Sequence, residues 1–157
     1  MCFALVMRGF GITSVIFGGI KVKMKNIQNQ IAQLDFSNAY ETLKSLDYDY
    51  GFRNVSRDFK KIDSIKMYAF MMFAVAKDED IVKHLTICNY LFFINPYING
   101  ADEIIRWHIL RSLEISPESV DVIRNWVMSV YSGNPDCPFT ENELQKLGIK
   151  DNYSFHS

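Results

Sequence analysis

The chain has 157 residues, 48% of them hydrophobic and 22% charged, with a net charge of −1. That length suits one domain, and the balance excludes a disordered or fibrous protein. Three widely spaced cysteines, Cys2, Cys88 and Cys137, argue against a disulfide framework and fit a reducing cytoplasm.

The charge is unevenly spread. Residues 1–23 carry Arg8, Lys21 and Lys23 and no acid; without them, 14 bases face 18 acids, a net of −4 for residues 24–157. A mildly acidic domain is a poor match for nucleic acid, whose recognition needs basic surface, and a better match for a basic protein.

Residues 1–23, MCFALVMRGFGITSVIFGGIKVK, are apolar and glycine-containing with no helical face. Only 12 residues separate Arg8 from Lys21, short of the ~20 that a membrane helix needs. Arg8 also breaks the apolar run, and no cleavage motif follows, so a secretory signal fits poorly. A membrane contact is expected only if this leader is an interfacial anchor. The codons for Gly18-Gly19 can contain a ribosome-binding sequence, with Val22 and Met24 a short way downstream. The segment therefore reads as disordered or as a mis-assigned start, with translation beginning at Met24 or Val22 rather than Met1. Residues 24–150 are expected to form one helical domain and 151–157 a tail.

Helical spacing dominates from Lys25. Ile27, Ile31 and Leu34 share one face. Asp35 or Ser37 can cap a helix over 36–47, with Ala39, Tyr40, Leu43 and Leu46 inward. Residues 48–62 read as a connection with a short turn near 57–61. Asp63 or Ser64 starts a helix containing the apolar run Met67–Ala76, which predicts a buried central helix. Asp78-Glu79-Asp80 suits the positive end of the next helix. Its expected core stripe is Ile81, Leu85, Cys88, Leu91 and Phe92, ended by Asn95-Pro96. Asn99-Gly100 opens a helix to about Ile115, with Ile104, Ile105, His108, Ile109 and Leu113 inward. Ser116-Pro117-Glu118 begins the next, facing Val120, Ile123, Val127, Val130 and Tyr131 to the core. Trp107 and Trp126 are expected near the seam of these two helices. Thr140 and Glu143 have capping-box spacing, so a last helix over 140–147 closes at Gly148. The predicted fold is all-α: about six helices in antiparallel hairpins, stacked as a short α-solenoid or an irregular bundle.

Chemical motifs are scarce. Phosphate-binding, dinucleotide-binding, zinc-protease and nucleophile-elbow patterns are absent. His84 and Cys88 stand four apart and could present two metal ligands, but Cys88 falls on the apolar stripe and no second ligand pair exists. His108 could serve as a general base, but a satisfied, partly buried histidine is the simpler explanation. Met67, Phe70, Met71, Met72 and Phe73 read as core. The sequence thus predicts no catalytic residue, no metal and no cofactor. The surface it nominates is Asp47, Tyr48, Asp49 and Tyr50, where alternating carboxylates and phenols make an acidic, rigid partner-binding corner.

Two resemblances follow from particular residues. Trp107-His-Ile-Leu-Arg-Ser-Leu-Glu-Ile-Ser-Pro-Glu-Ser resembles the end of a tetratricopeptide repeat, which would imply an adaptor holding a peptide or protein. More broadly, the short helical chain with NGADEIIRWHILRSLEISPES followed by a second hairpin helix is similar to small all-helical immunity proteins of bacterial polymorphic-toxin systems. That resemblance implies a cytoplasmic protein that neutralises a cognate, basic toxin by occluding it.

Overall fold

The structure, a computed structural model, describes residues 9–46 and 62–149, with side chains from Gly19 onward. Seven α-helices occur among the described residues, with no strand: α1 Gly9–Ala32, α2 Phe36–Lys44, α3 Ser64–Lys77, α4 Ile81–Asn89, α5 Ala101–Ile115, α6 Val120–Tyr131 and α7 Glu141–Lys146. A π-helical segment, Tyr90–Ile94, extends α4, and a 3-10 turn, Pro117–Ser119, precedes α6. The protein is all-α, as its periodicity predicts. Packing runs mainly between neighbours in chain order: α1 against α2 and α3, α3 against α4, α4 against α5, and α5 against α6. Among the described residues, no helix is long and apolar enough to cross a membrane.

Local chemistry sets most boundaries. The Asp35 carboxylate accepts from the Asn38 backbone N–H, Asp63 from those of Ile65 and Lys66, and Asp80 from that of Lys83. Each satisfies donors that a helix start would otherwise strand, at about 1 kcal/mol per cap. Thr140 and Glu143 form the expected capping box. Gly100, at φ +76°, turns the chain into α5. Leu34 also adopts a left-handed conformation (φ +63°), although it is not a glycine and its side chain is exposed.

α1 begins at Gly9, well before the apolar period starts at Lys25, and passes through Met24 without a break. Extending a helix costs far less than nucleating one, so a segment without an amphipathic face can continue an anchored helix. The anchor is the buried set Met24, Ile27 and Ile31. Burying each isoleucine contributes about 1.5–3 kcal/mol.

The core runs from this row through Ala39, Tyr40 and Leu43 of α2 to Met67, Phe70 and Met71 of α3. It continues through Ile87 and Leu91 to Ile105, Ile109, Ile123 and Val127. Aromatic rings mark two of its joints. Phe36 sits 6.0 Å from both Phe70 and Phe73. Tyr131 lies edge-on to Phe92, Phe139 and Trp126 at 5.6, 5.8 and 6.4 Å.

α4 departs from its expected stripe. Cys88 and Leu91 are buried as predicted, but Ile81, Leu85 and Phe92 are only partly so, and Lys83, His84 and Thr86 are buried instead. Lys83 and His84 find partners in the preceding turn and on α5, and the Thr86 hydroxyl donates to the Val82 carbonyl of its own helix, which offsets the cost of burying them. Beyond Asn89 the backbone widens into the π segment, closed by the Asn95 N–H donating to the Tyr90 carbonyl at 3.0 Å. Pro96 disfavours an α conformation at Asn95 and cannot itself donate.

Candidate functional site

The polar chemistry concentrates at the turn between α3 and α4. Asp80 fixes the start of α4, which places Lys83 and His84 on the following turn, both fully buried. Asp78, Glu79 and Asp80 flank them. Lys83 forms an ion pair with Asp80 and lies 3.5 Å from the Asp78 carboxylate. A buried ammonium costs several kcal/mol in lost hydration, which only such close carboxylates offset. Burial pushes the Tyr40 hydroxyl above its ordinary value, while the Lys83 charge pulls it the other way.

The other flank is a hydrogen-bonded relay across α4 and α5. Arg111 donates from Nε and Nη2 to the two Glu79 carboxylate oxygens, each at 2.8 Å. Glu79 Oε1 lies 3.1 Å from His84 Nε2, and His84 Nδ1 lies 2.6 Å from His108 Nδ1. Among the described residues, His108 Nε2 is buried with no hydrogen-bond partner. These partners decide the tautomers. A carboxylate accepts, so His84 carries its hydrogen on Nε2. Neutral His84 then offers a lone pair at Nδ1, and His108 Nδ1–H donates to it. The unpartnered His108 Nε2 is accordingly a lone pair rather than a stranded N–H.

The charges agree with this arrangement. Arg111 hydrogen bonds hold the Glu79 carboxyl down at about 2. Burial lowers His84 against the opposing pull of Glu79. Burial, reinforced by the neighbouring His84 ring, holds His108 down at about 3. Because Arg111 already balances Glu79, the carboxylate does not force a proton onto His84.

Trp107 covers the pair. Its ring lies edge-on to His108 at 4.8 Å and tilted against His84 at 5.8 Å, yet it remains 51% exposed. It therefore stands over the α4–α5 contact rather than in the α5–α6 seam. Trp126 does bridge helices, donating from Nε1 to the Asn89 side chain at 2.9 Å. Glu103, Trp107 and Glu114 are exposed along α5, with Arg111 between them at 2.9 Å from Glu114. Tyr131 donates to Asp102 at 2.7 Å, and Arg106 pairs with Glu143.

The two histidines thus meet each other rather than Cys88. The Cys88 thiol is buried, pushed well above its ordinary value by burial, and directed to the Ile105 carbonyl at 3.8 Å. Among the described residues, no three His, Cys, Asp or Glu side chains group as metal ligands. The acidic corner Asp47, Tyr48, Asp49 and Tyr50 lies outside the described residues. Sequence reasoning missed Lys83 and the Arg111–Glu79 pair. One signal for the relay was available: His84 and His108 both fall among core positions of consecutive helices, and a buried imidazole needs a partner. No family model, curated protein or solved structure matches the chain.

Proposed function

We propose that the chain is an immunity protein that neutralises a cognate bacterial toxin by occluding it, in the cytoplasm and without catalysis or a cofactor. The observation that carries this reading is the exposed face of α5. Trp107 packs against two buried rings and is flanked by Glu103, Glu114 and the Glu79–Arg111 pair. Tryptophan and arginine dominate the energetics of protein interfaces when they are preorganised and rimmed by polar groups. The acidic balance of the domain favours a basic partner and fast association with it.

Co-expression with the toxin encoded beside it tests the reading. The wild-type chain is expected to protect cells, and Trp107→Ala to weaken capture by at least about tenfold, or about 1.4 kcal/mol. Full protection and unchanged affinity for the variant would remove this face from the interface. Charge reversal at Asp47 and Asp49 tests the second acidic patch in the same assay.

A further inference from the structure

We propose that the His84–His108 pair is a proton-operated latch beneath the Trp107 face: neutral, it clamps α4 to α5 and fixes Trp107 for partner binding; protonated, it releases that clamp. The inference rests on the proposed role of the α5 face and adds its regulation.

The neutral pair holds two N–H hydrogens, at His84 Nε2 and His108 Nδ1, and both are used. A third can enter in three ways. On His84 Nδ1, with His108 unchanged, it sets two N–H donors face to face across 2.6 Å. On His84 Nδ1 with the His108 hydrogen moved to Nε2, the inter-ring bond reverses and survives. The His108 Nε2–H then points where no acceptor stands. On His108 Nε2 directly, it places the cation itself at that unpartnered site. Each outcome breaks the bond or strands a buried donor, and each adds a charge between two helices.

The charged groups that act on the pair are Glu79 and Asp80 from the turn before α4 and Arg111 from α5. Burial opposes the proton on His84 most strongly; Glu79 and Asp80 favour it and Arg111 opposes it. Both imidazoles contact the Trp107 ring, which makes that ring the element that moves or is quenched when the pair charges.

Trp126→Phe in the full chain leaves Trp107 as the sole tryptophan. Its emission is expected to fall by roughly half in one step as pH is lowered from about 7.5 to about 3.5. The midpoint should lie below the ordinary histidine value of about 6.5, with far-UV circular dichroism unchanged. His108→Asn should abolish the step. Glu79→Gln should move its midpoint down by about one pH unit, because an anion that favours the proton is lost. Flat emission over that range, or the same step in H108N, would overturn the latch. If H108N does not fold, an unmoved midpoint in E79Q overturns it equally. A flat emission profile leaves the interface reading standing, whereas protection by W107A removes the interface reading and leaves the titration of the pair intact.

Discussion

Holding His108 neutral ties the stability of the fold to pH. Burial holds its imidazole down at about 3 in the folded protein, against an ordinary value of 6.5. Between those limits the unfolded chain binds the proton and the folded chain does not. Stability therefore rises with pH across that window and falls as the solution is acidified below about 6.5. Each pH unit is worth about 1.4 kcal/mol, so going from neutral pH to about 5 removes roughly 2 kcal/mol through His108 alone. His84, also lowered, acts in the same direction. The carboxyls of Glu79 and Glu143, both held at about 2 against 4.5, contribute stability that begins to fade only below about 4.5. The interval from about 6.5 to about 5 thus isolates the histidines. Urea unfolding at a series of pH values measures the slope. H108N should start about 1 kcal/mol less stable at neutral pH, for the lost hydrogen bond, and show a much shallower decline. Equal wild-type stability at pH 7 and 5, or an equally steep decline in H108N, would refute a neutral buried pair.

Three further outcomes are expected. Leu34→Asn should stabilise the protein by about 0.5–1 kcal/mol in urea unfolding, since asparagine tolerates the left-handed backbone that leucine adopts at φ +63°. Glu143→Ala should cost about 1–2 kcal/mol, because one side chain serves both the Thr140 capping box and the Arg106 pair, and limited proteolysis should detect the freed α7. The Cys88 thiol should react with a thiol reagent only on unfolding, being both fully buried and pushed above its ordinary value.

Local interactions were legible in the sequence and distant ones were not. Asp35, Asp63, Asp80 and the Thr140–Glu143 pair announced helix starts because a cap acts within three residues of itself. Ile27 and Ile31, and Ile123 with Val127, announced buried faces through helical spacing alone. Lys83 broke the pattern on α4, because an apolar stripe does not register the Asp78 and Asp80 carboxylates that make an ammonium buriable, and His84, although on the stripe, gave no sign of its partner. His108 and Arg111 lie on another helix, and nothing in the spacing of residues 81–92 points to them. Trp107 illustrates the converse, an aromatic side chain expected at a seam and found half in water. Helix α1 outran its apolar period because backbone hydrogen bonding propagates without a hydrophobic face.

Helix α5 sends a side chain to almost every other described part of the C-terminal half. Asp102 accepts from Tyr131 of α6, Arg106 holds Glu143 of α7, His108 meets His84 of α4, and Arg111 reaches Glu79 of the preceding turn. Four of its fifteen residues act as spokes. A hub of this kind ties the exchange of its amide hydrogens to the loosening of all its neighbours at once. The α5 amides should therefore be among the last to exchange with solvent, and this half of the protein should open as one cooperative unit rather than helix by helix.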